Sequence, residues 1–257
     1  MDNIIQVRDL CKYFDTKAGR ATALDHISFD IARGDLTAII GKSGSGKSTM
    51  INMLAGIDIP SSGSVRVLDH QLENMNEDQM ARMRGTDIGV VFQFFQLLPV
   101  LNILENVMLP MDYLKAIPMR EREERAFELL KLVNMEDMAY KLPSELSGGQ
   151  QQKAAIARAL ANDPPIIIAD EPTGNLDSAA AEKVFELFSE LSGKGKTIVM
   201  VTHDNDIASR MSHVLTIKDG ALVNEYRKTA PKDEVKNEEK KDQEKEVKDA
   251  SAKQENN

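Results

Sequence analysis

Three short stretches of this chain have residue types and spacings that could do chemistry. The first is Gly41-Lys42-Ser43-Gly44-Ser45-Gly46-Lys47-Ser48, which fits the pattern G-x-x-x-x-G-K-[ST] of a phosphate cradle. Glycines let the backbone wrap so that its N–H groups point inward at phosphate oxygens. Lys47 has the reach for β- and γ-phosphates, the Ser48 hydroxyl suits Mg²⁺, and Thr49 follows as a further nucleotide-contacting candidate. The second stretch, Ile166-Ile167-Ile168-Ala169-Asp170-Glu171, is an apolar strand that delivers two acids at its C-terminal end, where ligands bind in open α/β sheets. Asp170 is the expected Mg²⁺ partner through water, and Glu171 is the candidate general base for an attacking water. The third is Leu146-Ser147-Gly148-Gly149-Gln150. Ser147 is a natural helix N-cap, and two glycines beside it would allow phosphates of another molecule to approach the backbone closely.

These residues need elements to hold them. Leu36–Ile40 predicts a buried strand feeding the glycine-rich loop, and Ser48–Ala55 a helix leaving it. Ahead of them Ile27, Phe29 and Ile31 alternate with polar residues as a half-buried strand does, and the turn residues 60–63 lead into a short strand around Val65 and Val67. Ile166–Ala169 and Ile198–Val201 are short and rich in β-branched residues, the mark of strands covered on both faces of a parallel sheet. Residues 94–160 read as mostly helical, with Ala126, Leu129, Leu130 and Val133 on one apolar stripe. Val214–Lys218 and Ala221–Tyr226 flank Asp219-Gly220, a hairpin signal.

Composition bounds the rest. A chain of 257 residues with 42% hydrophobic and 28% charged residues can build one substantial core and a smaller second lobe. No run of apolar residues is long enough to span a bilayer, and the opening decapeptide lacks the basic-then-apolar order of a signal peptide. One cysteine, Cys11, forms no internal disulfide and suits a reducing compartment. A net charge of −9 argues against a nucleic-acid partner. Residues 228–257 carry almost no large apolar side chains, so they are expected to be a disordered tail.

The five residues at 146–150, lying between the phosphate loop and the Asp170-Glu171 strand, strongly resemble the signature of ATP-binding-cassette (ABC) transporter ATPases. The resemblance covers about residues 4–227. It implies an α/β fold: a RecA-like P-loop core (1–93 and 161–227) with an antiparallel β subdomain and an inserted α-helical subdomain (94–160). It also implies roles for further residues. Phe14 lies where a family aromatic stacks on adenine, with Tyr13 the competing candidate. Gln93 matches the glutamine that links Mg²⁺ and water to the membrane partner, Asp177 the dimer-contact loop, and His203 the histidine that touches the γ-phosphate. Taken alone, a histidine ending a strand reads as structural before it reads as functional. Lys153 departs from the family's usual arginine, keeping charge but losing planar geometry. Phe94 and Phe95 either line a groove for the permease or bury themselves in the helical lobe.

In such ATPases two copies face head to tail, each ATP held between one copy's phosphate loop and the other's Ser147-Gly148-Gly149-Gln150. The implied partners are a second copy of this chain and a separate membrane permease, contacted near Gln93 and the helical subdomain at the cytoplasmic face of a bacterial membrane. Val91-Phe92-Gln93, Leu97-Leu98-Pro99 and the run from Asp170 to Asp177 resemble one branch: cassettes of macrolide and antimicrobial-peptide export, lipoprotein release and cell division. Within that resemblance, an ATPase that gates a cell-wall or signalling complex without transport is the alternative to an exporter.

Overall fold

The computed structural model describes residues 2–17 and 19–228. The expected tail lies outside the described residues apart from Lys228. The chain opens with two long strands, β1 (Asn3–Thr16) and β2 (Gly19–Ala32), paired antiparallel. β4 (Ser62–Val67) pairs with the other edge of β1 and continues into β5 (His70–Gln71), which gives a sheet in the order β2-β1-β4-β5. The alternation read at Ile27, Phe29 and Ile31 is real, since all three are buried on β2. β1 lacks a clean alternation. Asp9 takes a left-handed backbone (φ 50°), the register shifts on either side of Leu10, and Leu10, Cys11 and Lys12 end up consecutively buried. That is the behaviour of a bulged strand.

The second sheet has the order β10-β9-β3-β8-β7-β6. Its strands are β3 (Leu36–Ile40), β6 (Ile88–Val91), β7 (Ile166–Asp170), β8 (Thr197–Val201), β9 (His213–Lys218) and β10 (Ala221–Arg227). From β9 to β6 the neighbouring strands pair parallel. β10 returns from β9 through Asp219 and Gly220, both at positive φ (50° and 80°), as a two-residue hairpin turn requires.

Period-2 geometry divides the sheet's side chains between two cores. Ala38, Ile167, Ala169, Ile198 and Met200 pack on one face with the helices α3 (Ile103–Leu114), α4 (Met119–Leu132), α5 (Gly148–Ala159) and α6 (Ser178–Gly193). Ile39, Ile166, Ile168, Val199 and Val201 face the other way, onto the antiparallel sheet and α1 (Lys47–Leu54). Two further α-helices are α2 (Glu77–Thr86) and α7 (Asn205–Ser209). The architecture is the RecA-like cassette fold expected from the sequence, with an antiparallel β layer on one side of the parallel sheet and helices on the other.

The stretch 94–160 is mostly helical, as expected. Its first residues, 94–102, form an irregular loop. The fully buried Asn106 on α3 explains it. Its side chain accepts from the Leu98 N–H (2.7 Å) and donates to the Leu98, Leu101 and Asn102 carbonyls, satisfying loop backbone that a helix would have satisfied internally. The helix begins only at Ile103, behind a reciprocal cap between Asn102 and Glu105.

Candidate functional site

β3 delivers the chain to Gly41 and α1 leads it away from Gly46, so the glycine-rich loop is pinned at both ends. It has almost no room for side chains. A Cβ on Gly41 would collide with the Ile217 carbonyl of β9, and one on Gly46, at φ 104°, would sit 2.5 Å from the Ala23 carbonyl of β2. The loop borders an open cleft of about 660 Å³ lined by Gly41, Lys42, Ser43, Gly44, Gly46, Lys47, Ser48 and Thr49, and on the far side by Gln93, Glu171 and His203. Residues widely spaced in sequence therefore meet here because β3, β6, β7 and β8 all end on the same edge. Ser45 is the exception. Its buried hydroxyl lies beneath Gly41 with no hydrogen-bond partner, and the side chain is not part of the cleft wall. Lys47 is buried, and its ammonium donates to the Lys42 carbonyl at 2.9 Å, folded back over the loop.

The acids follow β7. Burial pushes the Asp170 carboxyl above the usual carboxylate range, and the neighbouring charge of Glu171 adds to this, against the opposing pull of Lys47 and a hydrogen bond with Ser48. Glu171 has a left-handed backbone (φ 44°) fixed by its N–H donating to the Val201 carbonyl at 3.0 Å. Gly174 lies between Glu171 and Gln93: a Cβ there would be 3.3 Å from Glu171 Oε2 and 3.5 Å from Gln93 Nε2. The next residue, Asn175, donates from Nδ2 to the Gln93 carbonyl at 3.0 Å.

The residues at 147–150 are not in this cleft. Ser147 caps α5, its N–H donating to Gln150 Oε1 at 2.9 Å while its hydroxyl accepts from the Gln150 N–H at 3.4 Å. Ser147, Gly149 and Gln150 border a separate groove with Asp177, whose carboxylate caps α6 by accepting from Ala180 N–H at 2.9 Å. Lys153 lines that groove beside Lys183 and makes no ion pair among the described residues. The two glycines differ. Gly149 faces Ala180 so closely that a Cβ would be 3.0 Å from the alanine methyl, whereas a Cβ on Gly148 would meet nothing nearer than 3.6 Å. Packing explains the first glycine and not the second.

Phe14 stands on β1 outside the cleft lining, 43% exposed, with the Lys12 ammonium 5.1 Å from its ring centroid. Tyr13 is half-buried, with the Arg20 guanidinium carbon 5.5 Å from its ring centroid. Phe94 and Phe95 part company, the former 73% exposed, the latter half-buried against Gly148. Sequence reasoning missed Ala23, which reaches the cleft from β2, and Arg158, which binds the loop after Gln93. An arginine inside the apolar run Ala154–Ala159 was a usable signal for the second.

Comparison with known proteins shows the family. Residues 24–174 match the family model described as ABC transporter. The chain is 44% identical to an uncharacterized ABC transporter ATP-binding protein of Thermotoga maritima, over 86% of this chain and 94% of that one. It is 42% identical to the macrolide export ATP-binding/permease protein MacB of Mannheimia succiniciproducens, over 93% of this chain but only 37% of that longer protein. The solved dimeric, post-hydrolysis structure of the ATP-binding cassette MJ0796 of Methanocaldococcus jannaschii, bound to ADP and Pi, superposes with a TM-score of 0.82 at 39% identity, over 88% of this chain and all of that one. The chain belongs to the ABC transporter family, as one of its ATP-binding cassettes with ATPase activity.

Proposed function

We propose that two copies of this chain close head to tail around two ATP and drive a separate permease, in a system of the macrolide-export and lipoprotein-release type. One observation carries the two-copy reading. The phosphate cleft and the Ser147–Gln150 surface occupy different places on one chain, so both can touch the same ATP only if a second chain supplies one of them. A phosphate offered to the head of α5 in the partner gains N–H donors that its own subunit lacks. The relatives support this: MJ0796 is dimeric in its solved structures, and MacB carries its permease in the same chain.

Within the cleft Lys47 would leave the Lys42 carbonyl for the β- and γ-phosphates. Ser48, Asp170 and Gln93 offer the oxygen donors that Mg²⁺ prefers, and the strained ionisation of Asp170 is what a divalent cation would relieve. When bound, that ion neutralises charge on the phosphates. Glu171 takes the proton of the attacking water, and His203, beside it, contacts the γ-phosphate. Phe14 is the better adenine platform, because its ring is exposed where that of Tyr13 is half-buried. On this reading 1–93 and 161–227 form the core and 94–160 the helical lobe. Phe94, Leu98 and Val100, all exposed, supply the apolar patch for the permease beside Gln93. No described helix is long and apolar enough to cross a membrane; the place of work proposed here, the cytoplasmic face, rests on the separate permease.

The test is sedimentation of the full chain carrying Glu171→Gln, with and without Mg-ATP. A dimer that appears only with nucleotide is expected; a monomer under both conditions defeats the two-copy reading.

A further inference from the structure

Arg158 is most of the way along α5, a helix whose first turn carries Ser147–Gln150, and its side chain is largely desolvated, which lowers its pKa. No carboxylate pairs with it among the described residues. Instead its guanidinium donates to two successive backbone carbonyls, Nη2 to Phe95 at 2.7 Å and Nη1 to Gln96. These two residues are both left-handed (φ 57° and 49°), and neither is glycine. Two consecutive L-residues hold that conformation only when their surroundings impose it. The planar fork of arginine can grip two adjacent carbonyls at once; an ammonium presents a point charge. The same stretch is also touched by the head of α5, where the Phe95 ring lies against Gly148. Beyond it, Asn106 anchors Leu98 and Leu101.

We propose that Arg158 is the positioning residue for Gln93: it imposes the left-handed turn at Phe95-Gln96 and so ties the Gln93 loop to the helix that begins at Gly148. A displacement of the head of α5, as a partner's nucleotide docks on it, then reaches Gln93 through a rigid helix and two hydrogen bonds. This rests on the role given above to Gln93.

The experiment is a double-mutant cycle on the full chain, with Arg158→Gln, Gln93→Ala and the pair together, reading kcat, KM and equilibrium ATP affinity. Arg158→Gln is expected to lower kcat roughly 10- to 100-fold, with ATP affinity held within about twofold. In the Gln93→Ala background it should cost nothing further, because both substitutions remove the same contribution. Arg158→Lys, which keeps the stem and the charge, should fold normally and fall between. An equal loss of kcat with and without Gln93, or a parallel loss of ATP affinity, overturns the proposal. A wild-type kcat in Arg158→Gln does so too. If Gln93→Ala alone turns over normally, the role of Gln93 fails and takes the proposal with it; absence of ATPase activity in the unsubstituted chain would show a failure of the functional reading before any variant is made.

Discussion

His203 Nδ1 lies 3.2 Å from Glu171 Oε2 across the mouth of the phosphate cleft. The two come from neighbouring strands, Glu171 directly after β7 and His203 just beyond β8, and Asp170 pairs in register with Val201. A second tie, from the Glu171 N–H to the Val201 carbonyl, fixes the backbone under the carboxylate. The pair is therefore set by sheet register, which is a stiffer constraint than a loop provides.

Replacing Glu171 with Gln keeps the shape and removes the base. Single-turnover hydrolysis should slow by about 10²- to 10⁴-fold, while nucleotide affinity measured by equilibrium binding stays near that of the parent. Full-speed turnover in this variant would remove Glu171 from the chemistry.

Gly148→Ala and Gly149→Ala should separate folding from assembly. Alanine at 148 meets only ordinary contacts, so thermal stability should hold or rise while ATP-dependent dimerisation weakens. Alanine at 149 presses on Ala180, so its defect should appear in the melting temperature. Adding Ala180→Gly should restore space there, offset by about 1 kcal/mol of lost helix propensity. Identical behaviour of the two single variants would contradict the packing difference.

Asp170 predicts a pH dependence. Its pKa is raised in the folded chain, so the folded state holds this proton more tightly than the unfolded one. Stability from this group is complete below the unfolded value and drains away as pH rises through the raised one. Asp170→Asn should therefore match the parent in acid and melt at higher temperature near neutrality, without nucleotide or metal, while losing hydrolysis. Melts collected across that range decide it; a variant less stable than the parent at neutral pH would show that burial is not the dominant cause.

Arg210 joins α7 to α6. It makes a bidentate pair with Glu182, both bonds 2.7 Å, and its guanidinium carbon lies 4.0 Å from the Phe185 ring centroid. Both charged partners are about half exposed, so Arg210→Ala should cost little stability, most of it retained at high salt if the ring contact dominates. Denaturant titrations at low and high salt measure both parts.

Legibility in the sequence followed the physics of each element. β3, β7 and β8 were readable because they are covered on both faces and so are apolar throughout. β1 was not, because its bulge at Asp9 breaks the alternation and buries Lys12, whose ammonium pairs with Asp58 at 2.6 Å. α2 buries only Met80 and Met83, too little for a stripe. The loop at 94–102 could not be told from the helical stretch it opens, because its path is held by Asn106 on the following helix and by Arg158, 63 residues on from Phe95. At the site, glycines and acids announced themselves by spacing. The reason Gly149 must be glycine did not, since it resides in Ala180 on another helix.

Cys11 has a practical consequence. It is the one thiol in the sequence, and the bulge of β1 seals it completely from solvent. Alkylating dyes should therefore leave the folded parent chain dark. A cysteine introduced at an exposed position such as Val100, which is 82% accessible, would be the sole labelled site without any cysteine-free background having to be built, and its fluorophore would register whatever settles on that patch.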